Sequence, residues 1–396
     1  MNRQLKRLGR FTPLIVVVTI LAAIGVGAEL FSSASTYVAH SEAETGRLAG
    51  GASQVSAANA SGGKAIRFAA GGNSGNCAVT ALLENPCRPW LGAWADNYSQ
   101  AATGIRAQTE YHEQRMGRQI EFMHDYREPN AVLSDTDKYF INRANTYASI
   151  TWKPSYTWAQ ATGNNADVNA QIDKMADSLK SVAPKKVMFT VFHEPENDVT
   201  SHPGCSGLSG GSGTPAEYRA MWKNVRQRFD AKGVNNVAWA WWVMGWDGNQ
   251  CMMNDLYPGN DLVDWILYDP YVGGNNGTFD NKIGYFYKWM QNNSDASHAY
   301  TSKLWGLGEY SSHQTSQAVA AKFWTDAKTA LENNTYPKLK LWMVFDSANG
   351  KPDNRVGYTC LSWRSEGSKV VCDNTIQDDA EAAAYKALAN SPKFKD

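Results

Sequence analysis

Eight short apolar runs, spaced so that helical segments fit between them, restrict the folds open to this chain more than any other feature. They are WLGAWA (90–95), RQIEFMH (118–124), TYASITW (146–152), KVMFTVF (186–192), NVAWAWWVM (236–244), VDWILYD (263–269), LWGLGEY (304–310) and LKLWMVF (339–345). Runs that stay apolar without strict alternation mark strands covered on both faces. The segments between them carry helix signals. Val168, Ile172, Met175 and Leu179 recur at helical spacing. Thr214 stands as an N-cap, Pro215 in the first turn, Glu217 as the partner in a capping box and Gly233 as a stop. Alternation of this kind predicts an α/β fold, a (β/α)8 TIM barrel over 77–396, somewhat longer than the typical ~250 residues. An open doubly wound sheet is the alternative. It is disfavoured because no glycine-rich phosphate loop follows the first run.

The region before the barrel reads differently. Arg3, Lys6, Arg7 and Arg10 precede the apolar run Leu14–Ala28, and Val26-Gly27-Ala28 offers a cleavage site before Glu29. Residues 1–31 are therefore expected to be an export signal, either cleaved or kept as an anchor. Residues 32–76, rich in Ser, Ala and Gly, read as a linker. Within it, 42–68 resembles the opening strands of β-sandwich carbohydrate-binding modules, but a sandwich needs ~100 residues. A remnant or accessory hairpin is expected there. The six cysteines permit many pairings, and the expectation is sequential: Cys77–Cys87, Cys205–Cys251 and Cys360–Cys372, formed in an oxidising compartment. A secreted or surface-tethered protein follows. Basic and acidic residues number 38 each, so no net field draws nucleic acid or an anionic membrane, and membrane contact is expected only through the N-terminal segment. The 15 Trp and 18 Tyr suit a neutral, hydroxyl-rich partner, a polysaccharide or oligosaccharide, bound by a monomer.

Catalytic groups in (β/α)8 barrels come from the C-terminal ends of the strands. Those ends carry Asp96, His124 with Asp125, Trp152, His193 with Glu194, Trp246 with Asp247, Asp269 with Tyr271, Glu309, and Phe345 with Asp346; Trp342 lies just before the last pair. Glu194 closes the fourth run and Glu309 the seventh. Paired carboxyls across a barrel mouth are what glycoside hydrolysis needs, one to give a proton to the leaving oxygen and one to attack the anomeric carbon. Strand alternation sends neighbours to opposite faces, so His193 and Glu194 can both serve one site only if the strand ends or bulges there. Trp152, Trp246 and Trp342 are equally compatible with core and with sugar platforms, while His124, Asp96 and Asp247 fit sugar contacts or mouth scaffolding. Glu196 and Asp198 are expected on a loop surface. The His–Glu pair is not a zinc-protease motif, because Asn197 occupies the position of its second histidine.

VFHEPEND (191–198) resembles the strand-four acid/base segment of the clan A glycoside hydrolases, and WGLGEYSS (305–312) resembles their strand-seven nucleophile segment. His193 precedes Glu194 where most families of that clan carry Asn, which resembles glycoside hydrolase family 26, the β-mannanase family. VDWILYDPY (263–271) resembles that family's sixth strand, and Tyr271 matches the tyrosine that hydrogen-bonds the nucleophile. The resemblance spans about residues 90–390. It implies a retaining endo-glycosidase acting on a β-linked polysaccharide, β-1,4-mannan first, with Glu194 as acid/base and Glu309 as nucleophile. No metal or organic cofactor is implied. A β-glucanase or β-xylanase would use the same barrel, and a carbohydrate-binding protein would need the rings but not both acids. The sequence departs from the family pattern at Pro195 and Glu196, where an apolar residue, Asn and Gly are usual, and in the Gly/Ser-rich loop around Cys205. It departs again at Phe345 and Asp346, where a Trp platform is common.

Overall fold

The apolar runs fold as strands and the segments between them as helices. The computed structural model describes residues 52–56, 64–68, 77–96, 104–273, 277–314, 316–348, 354–366 and 369–395. The export signal expected at 1–31 and most of the linker expected at 32–76 lie outside these residues. The chain forms two compact units, Met1–Asn76 and Cys77–Asp396. In the first, β1 (Ala52–Ser56) and β2 (Lys64–Phe68) pair as an antiparallel hairpin.

The second unit is a (β/α)8 barrel. In chain order it comprises β3 (Trp90–Asp96), α1 (Ile105–Met116), β4 (Phe122–Arg127), α2 (Asp135–Asn142), β5 (Tyr147–Trp152), α3 (Ala166–Lys180) and β6 (Val187–Val191). There follow α4 (Pro215–Ala231), β7 (Val237–Val243), α5 (Gln250–Leu256), β8 (Trp265–Tyr268), the short β9 (Tyr271–Gly273) and α6 (Phe279–Asn293). The chain then runs through β10 (Leu304–His313), α7 (Gln317–Glu332), β11 (Leu339–Ser347), β12 (Tyr358–Glu366), β13 (Lys369–Gln377) and α8 (Asp379–Ala389). Eight parallel staves are laid side by side, and β11 pairs with both β10 and β3 to close the ring.

Closure explains the apolar runs. Successive side chains point to opposite faces of a strand, and here both faces are dry. Leu341 and Met343 of β11 join Phe122, Met188, Trp242 and Leu267 inside the ring, while Trp342 and Val344 join Leu91, Met123 and Phe189 beneath the helices. Each such side chain contributes ~1.5–3 kcal/mol on burial. The expected helix signals are in place: Thr214 and Glu217 form a reciprocal capping box at α4, and Val168, Ile172, Met175 and Leu179 are the buried stripe of α3.

One end of the barrel is plugged. Trp90 Nε1 donates to the Leu83 carbonyl at 2.7 Å and Trp265 Nε1 to the Leu82 carbonyl at 2.6 Å, and Cys77–Cys87 staples the segment. The C-terminal mouth is left for chemistry. All three disulfides are the sequential ones; Cys205–Cys251 ties the loop after β6 to α5, and Cys360–Cys372 joins β12 to β13. The β12–β13 hairpin between β11 and α8 was not among the expected strands, because its sequence is too polar to read as a stave. The second stave is also displaced from the run 118–124 and extends to Arg127. Among the described residues no helix is long and apolar enough to cross a membrane.

Candidate active site

The fourth stave, β6, ends at Val191, and the backbone then leaves the strand abruptly. Phe192 and Glu194 both have left-handed backbones, with φ of 54° and 50°. Neither is glycine, so each conformation costs ~1–2 kcal/mol. The cost is met by anchoring: Phe192 N–H donates to the Trp152 carbonyl at 2.9 Å, and Glu194 N–H to the Trp242 carbonyl at 2.8 Å. The Phe192 ring packs against Tyr156 and Trp158. This turn releases His193 and Glu194 from strand alternation. The His193 imidazole comes within 3.7 Å of Glu309 Oε1, and Asn197 Nδ2 donates to Glu194 Oε2 at 3.0 Å.

Glu309 reaches the mouth by a different device. Leu307 and Tyr310 both face the helices, and the register with β11 slips between them. A slip of this kind re-aims a side chain beside a site. Gly308 is required there: a Cβ would lie 2.3 Å from the Trp242 ring. That indole donates from Nε1 to Asp269 Oδ1, and the same oxygen accepts from Glu309 N–H at 2.8 Å. Glu309 is only 5% exposed. One of its oxygens accepts from the Tyr126 hydroxyl and the other from the Tyr271 hydroxyl.

The two carboxyls therefore differ in their surroundings. Glu194 is pushed up to about 8, first by burial, then by the charges of Glu309 and Glu196, against the opposing pull of Lys153 and the Asn197 hydrogen bond. It keeps some surface open at the mouth, while protein atoms surround it on its other sides. Burial also raises Glu309, but the two tyrosine hydroxyls pull it back toward the ionised form. Asp269 is pushed well above its usual range by burial and by the charges of Glu309 and Glu194. His193 is driven down to about 3 by burial and the Lys153 charge, so it is a neutral imidazole. Candidate ligand atoms of His193, Asp269 and Glu309 lie within 4.8 Å of one another. Both oxygens of Glu309 and Oδ1 of Asp269 already accept hydrogen bonds, so the cluster reads as a hydrogen-bonded carboxylate more than as a cation cage.

The other expected residues separate into three groups. Trp246, 58% exposed, and Asp247 line a cleft of about 160 Å³ with Asp269 and Tyr271. On the other side, Tyr126, Arg127, Thr151, Lys153 and His193 line a cleft of about 530 Å³. Phe345 is half-buried, stacked on Trp94 at 4.7 Å and edge-on to Tyr271 at 5.7 Å, and Asp96 ends β3 in register with Ser347. His124 is buried below the mouth, its ring 4.3 Å from Tyr126 and 4.6 Å from Trp242, so it supports the site from beneath. Trp152 and Trp342 are core residues and line neither cleft. Strand alternation turns both toward the helices, where Trp152 packs on Tyr156 and Phe189 and Trp342 stacks on Phe279 at 5.4 Å. Asp346 also faces outward, 2.5 Å from His112 Nδ1.

Two expectations are corrected. Glu196 and Asp198 are not loop surface. Glu196 is 3% exposed and Asp198 is paired with Lys153 at 2.7 Å, because the short turn Pro195–Asp198 folds back against the barrel. Tyr126, Trp94, Trp242 and Lys153 went unrecognised. Phe122, His124 and Tyr126 continue one alternating face of β4, a signal hidden when the run is ended at its first polar residues.

A closed barrel with two unequal carboxyls at its mouth, Glu309 buried and Glu194 partly open, has the arrangement glycoside hydrolysis needs. The sequence model of glycosyl hydrolase family 26 matches residues 101–341, more than half of the chain. The protein belongs to this family, which cleaves glycosidic bonds with retention of configuration. It is 26% identical over 189 residues to Endoglucanase H of Acetivibrio thermocellus, covering 46% of this chain and 20% of that one. Among solved structures it is similar to a ruminal family 26 endo-β-1,4-mannanase, at 13% identity and a TM-score of 0.48, over 66% of this chain and 59% of that one. It is also similar to the family 26 domain of an endo-β-mannanase/endo-β-glucanase from Prevotella bryantii, at 14% identity and a TM-score of 0.49, over 78% and 90%. The chain thus spans about a fifth of the curated endoglucanase and under two thirds of the ruminal mannanase.

Proposed function

We propose that the protein is an endo-acting retaining glycosidase of β-linked polysaccharides, with β-1,4-mannan as its substrate, working outside the cell. The carrying observation is the inequality of the two mouth carboxyls. Glu309, with a hydrogen-bond donor on each oxygen, is suited to attack the anomeric carbon as an anion. Glu194, held protonated to about pH 8, is suited to protonate the departing oxygen. Its conjugate base then takes a proton from the water that breaks the covalent glycosyl–Glu309 bond. The neutral His193 imidazole adds no positive charge beside Glu309. Two clefts at the mouth, one lined by Asp269 and Tyr271 and one by Tyr126 and His193, suit a chain cut internally, and the three disulfides support an oxidising location.

The test is a panel of mannan, glucomannan, mixed-linked β-glucan and xylan, read by viscosity and reducing ends. Mannan and glucomannan are expected to be cut fastest, with viscosity falling ahead of reducing-end release. Faster cleavage of β-glucan or xylan would reassign the substrate while leaving the chemistry in place.

A second expected result concerns Tyr126. Its hydroxyl stabilises the ionised form of Glu309, and a hydrogen bond to a charged group is worth ~1.5–3 kcal/mol. Tyr126→Phe should therefore lower kcat/KM about 10- to 100-fold. Losing a donor to the anion raises the Glu309 pKa, so the acid limb of the pH profile should move to higher pH. An unmoved acid limb would show that the hydroxyl does not act on the nucleophile.

A further inference from the structure

Glu196 lies two residues beyond the candidate acid/base, where the acid/base segment departs from the family pattern. It is almost wholly buried, yet it makes no ion pair at the centre of the site. Its carboxylate instead crosses to the next stave: Oε1 accepts from Gly245 N–H at 2.9 Å and Oε2 from Met244 N–H at 3.3 Å. Those amides belong to the turn directly after β7. Gly245 is left-handed there, at φ +61°, and a Cβ would lie 2.7 Å from the Tyr268 ring, so the turn has little freedom of its own. The next residue is Trp246, whose ring rests on Gly248, where a Cβ would lie 2.8 Å away. Trp246 is the exposed aromatic of the cleft that also contains Asp269 and Tyr271. Cys205–Cys251 joins the same two loops covalently further out.

We propose that Glu196 is a positioning residue for the reaction: by holding the Met244–Gly245 amides, it locks the loop that presents Trp246 onto the turn that presents Glu194. This rests on the catalytic reading given above. Acid/base and sugar platform are then one mechanical unit, so a sugar stacked on Trp246 is held in fixed register with the proton donor. A misplacement of about 1 Å between such parts can cost ~100-fold in rate.

The arrangement has an electrostatic consequence as well. The charged groups facing Glu194 are Glu309 on β10, Asp269 after β8, Lys153 after β5 and Glu196 on its own turn, with the uncharged Tyr126 hydroxyl, the Asn197 amide and the neutral His193 beside them. Glu196 itself is raised to about 7 by burial, against the pull of its backbone donors. Its charge is among those that raise Glu194. Removing its charge lowers the Glu194 pKa, so the protonated acid disappears at a lower pH.

The experiment uses the full chain with E196Q, E196A, W246A, E196A/W246A and E309A. On a short β-glycoside whose poor leaving group still needs a proton, E196Q should bring the alkaline limb of kcat/KM to lower pH by on the order of one unit. On the polysaccharide, E196A and W246A should each lose about tenfold or more, and the double variant little more than either, because both act through one loop. Amide exchange at Met244 and Gly245 should quicken about tenfold or more in both Glu196 variants. Should E196A fold poorly, E196Q carries the test through the limb and the exchange rates. Faster exchange with an unmoved limb and multiplying losses makes Glu196 merely structural and overturns the proposal, given an inactive E309A. An E309A enzyme that stays active overturns the catalytic reading, and the role of Glu196 with it.

Discussion

Glu309→Ala is expected to abolish turnover of every glycoside, whatever its leaving group, by roughly 10⁴-fold or more. The expectation follows from what the side chain supplies. Protonation of a leaving group can be made unnecessary by choosing a better one, but bond formation at the anomeric carbon cannot. The fold should survive the change. Tyr126 and Tyr271 lose their acceptor, at ~1–3 kcal/mol for each hydroxyl left unpaired. Against this, an acid that raises the pKa of both Glu194 and Asp269 is removed from a buried cluster. The two effects oppose each other, so the melting temperature should move by only a few degrees. The space vacated by the carboxylate also makes a specific product accessible. Azide entering from the Glu309 side of an activated aryl glycoside attacks once, without a covalent enzyme intermediate, and should give an azide of inverted configuration. The checks are steady-state kinetics on polysaccharide and aryl glycoside, a thermal melt and the stereochemistry of the azide product. A Glu309→Ala enzyme that still shows an initial burst of aryl alcohol would mean that the two glutamates have exchanged roles.

The fold was legible because a closed barrel imposes the same demand eight times. Each stave must be dry on both faces, and each helix must announce its ends, as Thr214, Pro215 and Glu217 do for α4. Strand ends were less legible. Polar residues such as His124 and Asp125 close the second run in the sequence, yet β4 continues to Arg127, and its last inward residue is the tyrosine that binds Glu309. A polar group at a barrel mouth can be functional and still lie within the strand. The tryptophans show the reverse difficulty. Composition treats Trp152, Trp246 and Trp342 alike, but strand alternation puts Trp152 and Trp342 under helices, while Trp246 stands on the turn after β7, in the cleft. Glu196 was misread for a third reason. A glutamate after a proline looks solvated in one dimension, and its partners, the amides of Met244 and Gly245, lie 48 and 49 residues away. Gly308 and Glu309 were legible as a pair, but the slip in register that re-aims them depends on the pairing with β11 and leaves no mark in the sequence.

Replacing Glu194 with alanine should divide the reaction at its two steps. The side chain serves twice in the proposed cycle, as acid for departure and as base for the attacking water, and such catalysis contributes ~10²–10⁴-fold. A natural polysaccharide needs a proton on its leaving oxygen, so its cleavage should fall by that factor. An aryl glycoside with an acidic phenol leaves without help, so its first step should survive. Deglycosylation should still slow, because no base activates water, and the glycosyl–Glu309 intermediate should accumulate behind a burst of phenol. Azide needs no base. Added to Glu194→Ala, it should restore turnover and give an azide of retained configuration, since it meets the covalent intermediate from the face the leaving group vacated. The pH profile supplies an independent reading. In the proposed cycle the acid form of Glu194 is lost as pH rises through about 8, which should set the alkaline limb on substrates that need the proton. In Glu194→Ala that limb should vanish, leaving on the aryl substrate the acid limb set by ionisation of Glu309. A native alkaline limb persisting in the variant would assign the proton to another group, with Asp269, raised by burial and by the same two glutamates, the first to test by Asp269→Asn. Unchanged activity in both Glu194→Ala and Glu309→Ala would leave a carbohydrate-binding barrel in place of an enzyme.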